Sequence, residues 1–366
     1  MDLQNLAAAA ARQFQVDGDF SHVAPYGSGH INDTYAAVFH QTGALLRVIV
    51  QRINTRVFHN PAALMHNIQR VSAYLSAQLG GQADGARRVA ALIPTRDGRV
   101  WHTDAEGNHW RAYRFIENAH TCDTVESIAQ AFQSARAFGH FQKMLADLPA
   151  PRLHDTIPDF HHTPKRFAAF EQAVAADAVG RAASAQAEIA FALAHRSIAA
   201  VLLDAGLPER VTHNDTKFNN VLFDDATGEG LCVVDLDTVM PGLALYDFGD
   251  MVRTATCPAA EDELDLNKVS MQFPLFEALT RGYLSEAGEF LTKSELEHLA
   301  FAGKLITFEQ GIRFLADYLA GDTYYKVHRE GHNLDRCRTQ FKLIESMEQQ
   351  ELRMNRLLDE FMHQHA

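Results

Sequence analysis

The residues best suited to chemistry lie in one stretch, Val211-Thr-His-Asn-Asp-Thr-Lys-Phe-Asn-Asn220, an HxDxxxxN pattern followed further along by Asp235. Val221 to Phe223 reads as a strand, Asp224 to Gly230 supplies turn residues, and Leu231 to Val234 returns antiparallel. Such a ribbon brings Asn220 and Asp235 to neighbouring strand ends. One amide oxygen and one carboxylate, with no Cys or His pair beside them, suit Mg²⁺, which takes few protein ligands and completes its shell with phosphate oxygens. Asp215 lies earlier on the same loop, placed to accept a hydroxyl proton while the cation neutralises a transferring phosphoryl group. The chemistry implied is phosphoryl transfer to an alcohol, with Asp215 as base and Asn220 and Asp235 as metal ligands. His213 reads as a brace for the loop. Asn- and Asp-rich stretches are often plain turns; the ribbon and Asp235 tip the balance toward a site.

Other candidates surround this core. Asp237 is either a competing ligand or a solvated or network carboxylate. Asp247, in LALYDFGD, either caps the next helix or fixes the catalytic loop. Gly27, Ser28 and Gly29 form a glycine-containing turn that allows backbone approach to phosphates, although an ordinary hairpin turn looks the same. His30 at its tip reads as a surface histidine or as a group pointing toward a phosphoryl acceptor. The strand LLRVIVQRIN has no Lys and the helix PAALMHNIQRVSAYL no acid, so the Lys–Glu pair of protein kinases is absent. Arg52 is the candidate for the phosphates, with Arg47 as the alternative, since guanidinium geometry suits phosphate.

The elements that must position these residues divide at about residue 117. From Phe20 to Phe115, alternating apolar segments predict a small antiparallel sheet of about five strands, interrupted by one helix between Pro61 and Leu79. Residues 1–117 form an N-terminal nucleotide-binding lobe in this reading. Residues 118–366 form a mostly helical catalytic and substrate lobe, with helices over about 125–148 and 164–205 and a single β excursion at VLFDDATGEGLCVVDL. The fold class is α+β. At 366 residues and 47% hydrophobic, the chain can build substantial cores. The net charge of −13 argues against a nucleic-acid surface and requires local cations or metal for an anionic nucleotide. The cysteines, Cys122, Cys232, Cys257 and Cys337, form no CxxC pair. The run LAAAAA is cut short by Arg12 and Gln13, and no stretch approaches a membrane span, so a cytoplasmic address is expected. His161 and His162 lack HxxxH or HxH spacing, which disfavours a metal hydrolase.

The motifs HNDTKFNNVLFD, VVDLDTVMPGLALYDFGD and YGSGHINDTY resemble the aminoglycoside phosphotransferase and choline kinase superfamily. QRINTRVFHNP, WRAYRFIE, FGHFQKMLADLP, LHDTIPDFHHTPKRF and EQGIRFLADYLAGDTYY are similar to its N-acetylhexosamine 1-kinase branch. The resemblance covers nearly the whole chain. It implies a two-lobed, protein-kinase-like fold, ATP and Mg²⁺ as cofactors, and a sugar whose anomeric hydroxyl meets Asp215. It further implies that His30 and Arg313 contact the sugar, and that Phe115 to Asn118, including Glu117 and Asn118, meet the adenine. Taken alone, Arg313 reads as a surface charge. Another sugar, an amino alcohol or an aminoglycoside is the alternative acceptor. The missing Lys–Glu pair leaves a non-catalytic nucleotide-binding module as the second alternative.

Overall fold

The computed structural model describes residues 2–27, 29 and 31–365; Ser28 and His30 lie outside the described residues. The alanine run near the N-terminus forms α1 (Leu3–Ala11), whose face of Leu6, Ala7, Ala10 and Ala11 packs on a sheet. That sheet starts as the antiparallel meander β1 (Asp19–Pro25), β2 (Asp33–Gln41) and β3 (Ala44–Arg52). The β2–β3 turn passes through Gly43 at φ 80°, a conformation that glycine adopts without steric cost. Helix α2 (Pro61–Leu79) follows, N-capped by Asn60 with Pro61 in the first turn. The short strands β4 (Leu92–Ile93) and β5 (His102–Thr103) both pair with β6 (His109–Arg114). Among the described residues the sheet thus has six strands, one more than expected, because two two-residue strands share β6.

Strand alternation gives the sheet two faces. Tyr35, Ala37, Phe39, Val48, Val50, Trp110 and Ala112 pack under α1. Ile49 and Tyr113, one residue out of phase, pack into the core of the second lobe. Arg111 and Gln51 share their phase.

Residues 115–118 lead to β7 (Ala119–His120), which pairs with a ribbon of the second lobe. Helix α3 (Ile128–Leu145) is capped by Ser127. The helical stretch expected over 164–205 is broken into α4 (Thr163–Ala176), α5 (Gln186–Ala194) and α6 (Val201–Asp204) with short 3₁₀ turns between. Asp177 at φ 36° and Gly180 at φ 69° end the first piece. Next come β8 (Arg210–Thr212), the ribbon β9 (Val221–Asp224) and β10 (Gly230–Val233), and β11 (Met240–Gly242). Where the sequence pattern predicts one β excursion, a second two-stranded ribbon also forms. Strand β11 pairs antiparallel with β8, Met240 opposite Thr212, and so joins the two ends of the segment 212–240.

The remaining helices are α7 (Ala244–Ala255), α8 (Phe273–Ala287), α9 (Lys293–Leu319) and α10 (His332–His365). Thr292 and Glu295 form a capping box at the start of α9, and Glu295 also pairs with Arg210 on β8 at 2.7 Å. One core runs from Ile68 and Val71 on α2 through Phe138, Val221, Phe248 and Tyr283 to Leu305. Helices α3 and α8 meet backbone to backbone. A Cβ on Gly282 would run into the Phe132 carbonyl oxygen, and one on Gly139 would lie 2.7 Å from that of Tyr283. Among the described residues no single helix is long and apolar enough to cross a membrane.

Candidate active site

The loop that carries Asp215 leaves β8 at Thr212 and turns sharply at Asn214, which holds φ 65°. Asp247, in the first turn of α7, sustains that turn. Its carboxylate accepts the His213 amide at 2.8 Å, the Asn214 amide at 2.6 Å and Gln142 Nε2 at 2.6 Å. The N-cap of α7 is Leu243, with no side-chain bond, so Asp247 fixes the loop rather than capping the helix. Burial pushes its carboxyl pKa up, against those donors. His213 Nε2 donates to the Val234 carbonyl at 2.9 Å and braces the loop against the ribbon.

The ribbon closes with Val221 opposite Val233, and the Val234 amide donates to the Asn220 carbonyl at 2.9 Å. Asn220 Nδ2 donates to the Asp215 carbonyl at 2.8 Å and approaches Asp215 Oδ2 at 3.4 Å. Asp235 follows at φ 60°, a left-handed conformation uncommon for aspartate. The structure therefore brings Asp215, Asn220 and Asp235 together. Asp235 makes no hydrogen bond or ion pair among the described residues, and it is open to solvent. Desolvation, then the charges of Asp237 and Asp215, push its carboxyl up to about 6. A divalent ion here would relieve that crowding. Among the described residues no group of three or more His, Cys, Asp or Glu is arranged to hold a metal. Asn220 and Asp235 offer one amide and one carboxylate oxygen, the donor types that could hold Mg²⁺ with phosphate oxygens completing its shell.

Asp215 is bonded to Lys217, whose Nζ lies 2.8 Å from Oδ1. Enclosure by protein works to raise the Asp215 pKa, but Lys217, His213 and Arg253 outweigh it and hold the carboxyl below its usual value. Arg253 is itself buried against Asp250 at 2.9 Å.

Asp237 is a buried network residue. It lies in a 3₁₀ turn over Leu236–Thr238, pairs with the wholly buried Arg111 of β6 and accepts Asn32 Nδ2 at 2.6 Å. Arg111 Nε donates to Gln51 Oε1 at 3.0 Å, while its Nη2 has no partner among the described residues. Sequence reasoning misses Arg111. Its only signal is a lone charge at an inward register of HWRAYRF, between Trp110 and Ala112 on the other face.

The structure does not bring Arg52 to this group. It shares the phase of Val48 and Val50 and donates to Asp33 at 2.6 and 2.8 Å and to Asn108 at 3.3 Å. Arg47 pairs with Glu117 and stacks 3.9 Å over Phe115. The Glu117 and Asn118 carbonyls each accept Arg87 Nη2 at 3.0 Å, and Arg87 also pairs with Asp224 at 2.8 Å. Gly27 holds φ 78°, and at both Gly27 and Gly29 the space that a Cβ would take is open, with no neighbour within 4 Å. Arg313 on α9 is half-buried, not a free surface charge. It donates to Gln310 at 3.2 Å and lies near the Phe160 and Tyr325 rings, with no carboxylate in ion-pair range among the described residues.

A family model described as "Phosphotransferase enzyme family" matches residues 22–283. Three solved structures share the fold. A microcompartment-associated aminopropanol kinase is 18% identical, with 96% of this chain and 98% of that chain covered and a TM-score of 0.65. A spectinomycin phosphotransferase in complex with ADP and spectinomycin is 12% identical, with 95% and 98% covered and a TM-score of 0.59. A choline kinase from Cryptosporidium parvum Iowa II is 14% identical, with 98% and 99% covered and a TM-score of 0.52. The architecture is the kinase-like fold, an antiparallel N-terminal sheet on a helical C-terminal region.

Proposed function

Because the chain belongs to the phosphotransferase enzyme family, we propose that it moves the γ-phosphoryl group of ATP to the anomeric C1 hydroxyl of N-acetylglucosamine or N-acetylgalactosamine. Asp215 orients that hydroxyl and takes its proton, and Lys217 keeps the carboxylate ionised for the task. Asn220 and Asp235 would hold Mg²⁺, which supplies charge neutralisation at the phosphoryl oxygens. The turn at Gly27 to Gly29 and the segment Phe115 to Asn118 would receive the phosphates and the adenine. Arg111 and Gln51, on the inward phase of the sheet, are better placed toward the ribbon than Arg52.

The observation that supports a neutral sugar over an amine is the cationic charge linked to Asp215 and to Arg313, the residue that the resemblance assigns to the sugar. An ammonium acceptor calls for carboxylates free to meet it. Here Arg313 has no carboxylate in ion-pair range among the described residues, Glu309 acting on it from one helical turn away, and Arg253 acts electrostatically on both Arg313 and Asp215. Guanidinium donors match the hydroxyl and acyl oxygens of an N-acetylated sugar. The N-acetylhexosamine 1-kinase-like motifs point the same way.

The test is a panel of hexosamines, choline, ethanolamine and kanamycin assayed by ATP consumption, followed by phosphorus NMR of the product. Phosphate on C1 of an N-acetylhexosamine is expected. Turnover of choline or kanamycin with none of the hexosamines would overturn the acceptor, and phosphate on C6 would redirect the mechanism. The absent Lys–Glu pair favours one other reading, a nucleotide-binding pseudokinase, which predicts magnesium-ATP binding without transfer to any acceptor.

A further inference from the structure

Beneath the catalytic loop lies a buried histidine that this mechanism leaves unused. His161 immediately precedes the turn into α4, with the Phe160 and Tyr246 rings 4.7 and 5.1 Å away. Both ring nitrogens are engaged. Nδ1 lies 2.8 Å from Oε1 of Glu309 on α9, and Nε2 lies 2.9 Å from the backbone oxygen of Asn214. The second Glu309 oxygen accepts the Thr163 hydroxyl at 2.7 Å. A backbone carbonyl only accepts, so Nε2 must carry a hydrogen. Glu309 as a carboxylate also only accepts, so Nδ1 carries one too. With Glu309 ionised, as its lowered pKa favours, the ring is an imidazolium paired with a buried carboxylate.

Its position makes that pairing consequential. Asn214 directly precedes Asp215 and is held in a left-handed conformation. Its amide is fixed by Asp247 and its carbonyl by His161. Glu309 lies one helical turn before Arg313, on the same side of α9. The couple thus ties the residue before Asp215 to the helix that carries Arg313. We propose that His161 and Glu309 form a positioning couple that keeps Asp215 in register with Arg313, and that it functions only while the imidazole holds both protons. The inference rests on Asp215 being the base.

The charged and titratable groups around the ring come from three elements. Glu309 faces it from α9, with Arg313 behind; Tyr246 and Asp250 face it from α7; Arg166 of α4 acts on Glu309. Burial opposes the imidazolium, but Glu309, the Asn214 carbonyl and Asp250 outweigh burial and raise the pKa above that of an ordinary histidine. A histidine pKa raised by folding contributes stability that is complete below the unfolded value and is lost as pH rises through the folded value. The loop should therefore loosen on the alkaline side.

Two measurements test this. In long-range ¹H–¹⁵N spectra of the wild-type protein, His161 should show two protonated nitrogens at pH values where exposed histidines are neutral. Its signal is assigned by its loss in His161→Gln or, should that variant not fold, by its displacement in Glu309→Gln. A neutral tautomer at pH 7 would overturn the proposal. In steady-state assays with the acceptor found by the panel, His161→Gln should lose roughly 10- to 100-fold in kcat, with KM for ATP within about twofold. Glu309→Gln should move the alkaline limb of the kcat profile acidward by about one pH unit or more. Wild-type kcat and pH profile in both variants, with only a lowered melting temperature, would reduce the couple to packing. The spectra need no turnover, so a failed acceptor assignment leaves their answer intact.

Discussion

Asp215 is held at three levels: its own carboxylate by Lys217, its neighbour's amide by Asp247, and its neighbour's carbonyl by His161. Asp215→Asn keeps the shape and removes the carboxylate proposed to accept the proton. We expect kcat to fall by roughly a hundredfold or more while calorimetry shows magnesium-ATP binding nearly unchanged; a comparable loss of nucleotide affinity would reassign the residue. Arg111→Met leaves Asp237 as a buried, unmatched charge, and urea unfolding should show a loss of about 3–5 kcal/mol, the usual cost of breaking a buried ion pair from one side. The three residues Asp215, Asn220 and Asp235 are legible in the sequence because one loop and one ribbon carry them, so local spacing suffices. The Arg111–Asp237 pair is not, since it joins positions 126 residues apart. Arg52 reads as a phosphate contact because residue type alone does not tell which face of a strand a side chain takes.

Among the elements, the crossing from sheet to helical lobe depends on Asp224 at the end of β9. Its carboxylate receives the Thr227 and Ala226 amides and pairs with Arg87, which in turn holds the Glu117 and Asn118 carbonyls. The Thr227 amide first, then Arg87, lower its pKa from 3.8 to about 2. Its stabilisation is present above the unfolded value and disappears as pH falls from there through about 2. The melting-temperature gap between wild type and Asp224→Asn should accordingly be open at neutral pH and close over that acid range; a gap independent of pH would mean the charge is idle. The ribbon and the periodic helices α2 and α3 are legible from hydrophobic spacing and turn residues. The break at Asp177 is not, because an alanine-rich stretch satisfies helical propensity on both sides of it. The β8–β11 ribbon escapes notice because three-residue strands carry too little alternation to read.

At the scale of the whole molecule, the two lobes recognised in the sequence share one core, beside the smaller core that the sheet builds under α1. Tyr113 and Ile116 of the sheet side and Ile68 and Val71 of α2 belong to the same core as Phe138, Phe248 and Leu305. Residues 1–117 expressed alone should therefore stay unfolded by circular dichroism, and the intact chain should unfold in urea with coincident fluorescence and dichroism transitions. Two separate transitions would show that the lobes fold independently. The order of strands then helices discloses the architecture, but continuity between interiors depends on which face each helix turns inward, and that is set by long-range packing. The same continuity gives the α3–α8 crossing a reach beyond its own neighbourhood. Tyr283, beside Gly282, donates through its hydroxyl to Gln142, and Gln142 donates to Asp247. A single methyl group at Gly282, with no clearance against the Phe132 carbonyl, would lever α8 outward and slacken this chain of contacts at its far end, where Asp247 holds the loop that carries Asp215. Some of the enzyme's aim is thus stored in the missing side chain of a residue that no ligand visits.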